Sequence, residues 1–331
     1  MSGTAEHTRT AGPGEVRGAP RHEAAGSPPS GPPSSEPGSP VQRDPSRFQP
    51  ATRRRHRVGT VFAVVCFGAA VVGVVVLAAL LVDIFADGTG TLSLDFINRF
   101  PSRNAGRAGI KPALFGSLWV LVLTALISFP LGVGTAVWLE EYAPNNRLTR
   151  VIELNIANLA GVPSIVYGIL GLALFVRAFA MGRSILAAAL TLALLILPVI
   201  IIASQEAIKA VPSSMRLAAY ALGATRWETI RHHVLPAALP GILTGTILAL
   251  SRAVGEAAPM ILVGALGFLT FVPDGPMDRF TVLPFQIYNW VSRADPEFHH
   301  LAAATSIVLL VLLLAMNAAA IIMRNRYSRR R

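Results

Sequence analysis

"QEAIKAVPSSMRLAAYALGATRWETIRHHVLPAALPG", Gln205 to Gly241, interrupts a chain that is otherwise largely apolar. It is too regular to be a mere connector. Val211–Pro212 ends one helix, because the residue before a proline is pushed out of the helical region, and Ser213 is placed to cap the next. The short helix that follows carries Met215, Leu217, Ala218, Ala219 and Leu222 and stops at Gly223, which suits a left-handed C-terminal cap. Thr225 and Glu228 have the T-x-x-E spacing of a capping box, which opens a further helix. The pattern predicts a compact helix–glycine–helix knob. Taken alone, it says only that something docks there.

The knob lies among runs long enough to cross a bilayer. The 331 residues are 53% hydrophobic and 14% charged, with a mean hydropathy of +0.54. That excludes an ordinary soluble globule. Six runs reach the ~20 residues that cross ~30 Å of hydrocarbon. They cover about 58–82, 113–139, 154–176, 184–204, 237–263 and 301–323. The fold expected is an all-α integral membrane protein with six transmembrane helices. The net charge of +11 sits at the ends of apolar runs, so it reads as a topology signal and not as a nucleic-acid surface. "RRRHR" (Arg53–Arg57) precedes the first run and "RNRYSRRR" (Arg324–Arg331) follows the last. An even number of spans puts both on one side, and the positive-inside rule makes it the cytoplasm. The knob then faces the cytoplasm too, in a multi-pass protein of the cell membrane.

Four regions follow. Residues 1–52 contain "GSPPSGPPSSEPGSP" (Gly26–Pro40), which lacks the apolar side chains needed to offset ordering entropy, and are expected to be a disordered cytoplasmic tail. No signal peptide is read there, since the first apolar run starts only after Arg57. Residues 53–112 hold the first span and an outer loop, 113–323 the transmembrane core with its loop at about 205–236, and 324–331 a basic cytoplasmic tail. Cys66, the single cysteine, lies in the first span, where a small buried apolar role is expected. Prolines interrupt the runs at "FPLGVG" (129–134), "AGVPSIVYGILG" (160–171) and "ILPVI" (196–200), either as simple kinks or as broken helices lining a path. Gly241 and Gly245 form a small-xxx-small pair fit for close helix approach. Asn155, Asn158, Ser164 and Tyr167 suit hydrogen bonding between helices, and the aromatics of "FTVLPFQIYNWVSR" (Phe280–Arg293) suit anchors at the outer interface or a docking surface.

"LALSRAVGEAAPMILVGA" (Leu248–Ala265) poses the sharpest question, because Arg252 and Glu256 stand four residues apart in an apolar run. Facing lipid at mid-membrane, the two charges together would cost about 5–7 kcal/mol. They are expected to face a subunit interface instead. There they either neutralise each other structurally or handle a charged substrate.

The knob resembles the EAA loop of ABC-importer permeases: Ala218, Ala219, Gly223, Leu235 and Pro236 match in type and spacing. Leu217 stands where that family has Glu, and His233 where it has an apolar residue. "AGVPSIVYGILGLALF", "LPAALPGILTGTILALSRAVGEAAPM" and "LPFQIYNW" extend the likeness over most of residues 113–323 to the phosphate-uptake permeases of the PstA type. The resemblance implies a type I importer fold with a MetI-like core, a second permease subunit (PstC type), an ATPase dimer (PstB type) and an external phosphate-binding protein (PstS type). It implies that Leu217, Ala218, Ala219, Gly223, Leu235 and Pro236 couple to the ATPase. For an anionic substrate, the charge chemistry of Arg252 and Glu256 makes them the candidates for the substrate path, with a mutual structural pair as the alternative. Permeases for sulfate or molybdate and ion-coupled secondary transporters are the alternatives. Neither of the two lysines, Lys111 and Lys209, follows a glycine, so the chain has no Walker A motif, and ATP hydrolysis is expected on another chain. No enzyme, cofactor or metal site is expected. His232–His233 and His299–His300 are adjacent pairs, which a helix splays apart, and Asp295, Glu297 and His299 form no catalytic set.

Overall fold

The computed structural model describes residues 52–329. The tail expected over residues 1–52 lies outside them except for Thr52, as do the last two arginines. Two compact units divide the chain, Met1–Phe67 and Gly68–Arg331. Among the described residues of the first there is only the opening of a long helix, α1 (Thr52–Gly88). Cys66 within it is exposed, not buried as expected. Its neighbours Phe62, Val65 and Phe67 are exposed as well, so hydropathy alone does not place a side chain inside the protein.

The second unit is built on α6 (Ile185–Lys209), whose side chains are buried around most of its circumference. A helix that is apolar on every face belongs inside a bundle. Two long helices clasp it: α3 (Lys111–Val137) and α9 (Leu235–Val254). Small residues set the approach. A Cβ on Gly132 of α3 would lie 2.6 Å from Ile200 Cγ2, and one on Gly241 of α9 would lie 2.8 Å from the Ala207 Cβ. Gly245 sits equally tight on Ala203, so the small-xxx-small pair does form the α9–α6 seam. Lipid tails are as apolar as leucine, so this close packing supplies most of what holds such helices together. A last long helix, α12 (Pro296–Arg329), lies along α9, tied to it by Ser251 Oγ donating to Asn317 Oδ1 at 2.6 Å.

Among the described residues, five helices are long and apolar enough to cross a membrane, or six if one bent pair counts as a single span. That pair is the third expected run. It is two helices, α4 (Arg147–Ala160) and α5 (Ser164–Gly171, continued by a π-helical segment to Ala178), bent by 102°. The three proline sites therefore differ. Pro130 and Pro198 sit inside unbroken helices, whereas Pro163 follows Gly161 by two residues and stands as the N-cap of α5, with φ −55° and ψ 137°. A proline there disfavours the helical conformation at the residue before it and cannot continue the helix, so the helix breaks.

The fifth expected run, 237–263, is also corrected. It is not one helix: α9 ends at Val254, and α10 (Ala258–Val263) follows after a break. The loop expected to present aromatics at the outer interface is instead partly helical, as α11 (Leu283–Val291). Phe280 and Trp290 are fully buried there. Trp290 lies between Phe96 of α2 (Leu94–Asn98) and Phe298, with ring centroids 6.1 and 6.3 Å away.

Candidate functional site

Pro259 explains the break that carries the charged pair. It stands in the first turn of α10, where the missing N–H costs nothing. Within a continuous helix its ring would collide with the carbonyl of residue 255. Gly255 and Glu256 instead turn back on the end of α9, their N–H groups donating to the Arg252 and Ala253 carbonyls at 3.2 Å. Arg252 thus lies in the last turn of α9, at a helix break and not within a continuous helix. A cation there complements the negative end of the helix dipole. Glu256 lies in the turn itself.

The pair meets loosely. Arg252 Nε is 3.4 Å from Glu256 Oε1, and among the described residues this is the only hydrogen bond that Arg252's side chain makes. Among the described residues, neither terminal nitrogen of the guanidinium has an acceptor within hydrogen-bond distance. The two side chains face different surroundings: that of Arg252 is 54% exposed and that of Glu256 only 18%. Glu256 lines a small, largely apolar pocket walled by Ser117, Val120 and Thr124 of α3 and by Met260 of α10. Arg252 does not line it.

The two broken spans pack together at this level. A Cβ on Gly168 of α5 would lie 2.8 Å from the Pro259 Cα and 2.9 Å from Leu262 Cδ1. Across the other bend, Tyr167 donates its hydroxyl from α5 to the Leu159 carbonyl of α4 at 2.8 Å, as its polarity suggested. Asn155 serves its own helix, donating to the Val151 carbonyl at 2.7 Å.

The knob forms as its glycine and capping residues require. α7 (Ser213–Ala221) ends at Gly223, whose φ is +85°. The Gly223 N–H donates to the Tyr220 carbonyl at 3.0 Å, and that of Ala224 to the Ala219 carbonyl at 3.1 Å, the two bonds of a Schellman motif. Thr225 and Glu228 make both bonds of the capping box that opens α8 (Arg226–Thr229). Two details differ from expectation. Ser213 makes no capping bond, because Pro212 already occupies the N-cap position. The second knob helix does not stop, either. It passes through a π-helical turn, Ile230–Val234, directly into α9, so Leu235 and Pro236 form the first turn of the fifth span. Ala219 and Ile230 anchor the knob from within. Outside, Leu217 is 66% exposed and Leu222 89%, with Ala218, Tyr220 and Trp227 also at the surface. No group of three metal-ligating side chains occurs among the described residues.

Sequence reasoning missed how the knob is held. A π-helical turn, Trp138–Tyr142, ends α3 and buries Glu141. Arg216 of α7 donates to Glu141 Oε1 from both Nε (3.0 Å) and Nη2 (2.7 Å), and to the Val211 and Ile208 carbonyls at 2.8 and 3.1 Å. Glu140 takes Gln205 Nε2 at 3.1 Å and Lys209 Nζ at 3.3 Å. The available signal was "WLEEYAP" (Trp138–Pro144): two adjacent carboxylates where an apolar run ends, with Arg216 unpaired within its own helix.

The model of a family described as binding-protein-dependent transport system inner membrane component matches residues 128–331. The chain belongs to this family. As an inner membrane transport component it is a multi-pass membrane protein, and the matched residues include both broken spans and the knob. Among curated relatives, it is 41% identical over 195 residues to the probable ABC transporter permease protein YqgI of Bacillus subtilis, covering 58% of this chain and 66% of that one. The chain thus spans just under two thirds of that relative's length. It is 38% identical over 227 residues to the phosphate transport system permease protein PstA 1 of Mycobacterium tuberculosis, covering 66% of this chain and 73% of that one. Among solved structures, an inward-facing methionine ABC transporter, MetNI, superposes with a TM-score of 0.54 at 20% identity, over 65% of this chain and 96% of that one. That likeness establishes the MetI-like, type I importer permease fold.

Proposed function

We propose that this transport component is a permease subunit that moves inorganic phosphate inward across the cytoplasmic membrane, driven by ATP hydrolysis on a separate chain. The observation that carries the reading is the free guanidinium of Arg252 at a helix break. A tetrahedral oxyanion needs paired, permanently charged donors, and the two terminal nitrogens of an arginine offer them in a fork. Glu256, at 3.4 Å, restrains the guanidinium when the path is empty and opposes an anion that lingers. Too tight a site would stop transport. The phosphate permease names of relatives at 38% identity favour phosphate over sulfate or molybdate, which present the same oxygen geometry.

The remaining assignments follow from this reading. Residues 113–323 are taken as the permease core, with the knob and both termini in the cytoplasm. A second permease of the PstC type covers the exposed side of Arg252, which is otherwise too costly to leave in lipid. The ATPase dimer, of the PstB type, receives the knob through Leu217, Ala218, Leu222 and Trp227, an apolar surface larger than a solvated loop tip needs. The external binding protein, of the PstS type, delivers the ion at the opposite face. Reconstituting the chain with these three partners in vesicles tests the proposal. ATP-dependent accumulation of radiolabelled phosphate, undiminished by excess sulfate or molybdate, supports it. Accumulation of another oxyanion in preference, or none, overturns it.

A further inference from the structure

The π-helical turn that ends α3 places three consecutive side chains in three separate grips. Glu140 holds Gln205 and Lys209 of α6, Glu141 holds Arg216 of α7, and the Tyr142 ring lies 5.1 Å under the Arg226 guanidinium of α8. The same helix, between Ser117 and Thr124, walls the cavity that contains Glu256. Thr124 and Glu140 are sixteen residues apart, about 24 Å of helix axis. α3 runs unbroken between them, through Pro130. One rod therefore joins the knob to the pocket beside Glu256, while α9 joins the knob to Arg252.

The grips are unequal. Lys209 is half-exposed, and a solvated pair of that kind slips at little cost. Glu141 is 6% exposed and takes two donors on one oxygen, from a guanidinium that also binds two carbonyls at the end of α6. Pulling Arg216 away would leave a buried carboxylate without its counter-charge, which is strongly disfavoured. The knob is thus held to move with α3 and not past it.

We propose that Glu141 and Arg216 are a positioning pair that converts displacement of the docked knob into movement of α3, and so of the cavity wall opposite Glu256. Neither residue touches the ion or ATP. The inference rests on the reading of the knob as the ATPase-docking element, and predicts that loss of the pair separates hydrolysis from transport.

The test uses the full four-component complex in vesicles and reads phosphate moved per ATP hydrolysed, alongside co-purification of the ATPase. Glu141→Gln keeps the side-chain volume and leaves Arg216 its two carbonyl bonds. It should retain the ATPase and its hydrolysis while phosphate moved per ATP falls at least about tenfold, since a buried pair is broken. Glu141→Asp, which keeps the charge, should recover most of that ratio. An unchanged ratio in Glu141→Gln overturns the inference. So does joint loss of co-purification, hydrolysis and transport in both variants, which would make the pair a fold element only. If the unaltered complex moves no phosphate, it is the proposed function that fails, and the two failures are told apart.

Discussion

Gly168 of α5 lies against Pro259 of α10 with no room for a side chain between them: a Cβ would come within 2.8 Å of the proline Cα. Each residue belongs to a helix that restarts after a break, so this contact locks two interrupted spans together. Gly168→Val would have to move backbone, and overpacking of this kind costs about 1–3 kcal/mol. The variant should insert into membranes but unfold several degrees lower in detergent. An unchanged melting temperature would show that α5 and α10 are free to part.

Gly223 holds φ at +85° with open space around its Cα. The demand there is conformational and not steric, so a β-branched residue is penalised by about 1–2 kcal/mol wherever its side chain points. Gly223→Val should distort the knob and abolish ATP-driven uptake. Membrane insertion should survive, because no span is touched. Uptake at the unaltered rate would contradict the role given to the knob.

Leu217 is exposed on the knob, at the position where the EAA loop that the knob resembles carries glutamate. It supports no buried contact, so Leu217→Glu should leave the fold intact and the ATPase bound. Co-purification measured side by side with the unaltered chain checks this. Loss of the ATPase in the variant would show that this partner's docking groove is matched to leucine.

How much of this was legible in the sequence depends on the range of each interaction. The Gly223 cap and the Thr225–Glu228 box are local, fixed by residues within one or two turns, and they form as read. Long apolar runs locate the spans, because lipid asks only for length and hydropathy. Breaks are harder. Pro130, Pro163 and Pro198 have similar apolar surroundings, and Pro130 has a glycine two residues away just as Pro163 does, so nothing local separates the one that ends a helix from the two that do not. Pro259 escaped notice because the run around it is apolar from Ala237 to Val263, so Arg252 was read at mid-span and stands in a last turn. Hydropathy also cannot tell lipid from protein interior. For that reason Cys66 was expected inside and is exposed, whereas Trp290 was expected at an interface and is buried. The Glu141–Arg216 pair joins residues 75 positions apart, and no periodicity links them.

Contact between Arg252 and the ion is the central step of the proposed transport. Arg252→Gln retains length and a hydrogen-bonding end but removes the charge and the fork. A hydrogen bond to a charged group contributes about 1.5–3 kcal/mol, so loss of two such bonds should cost at least about a hundredfold in rate. The decisive measurement is initial phosphate uptake by the reconstituted Arg252→Gln complex, normalised to assembled complex that still binds ATP. We expect uptake at or near background with assembly unchanged. Uptake within about twofold of the unaltered complex, where a hundredfold fall is called for, would contradict the account and leave Arg252 and Glu256 as architecture.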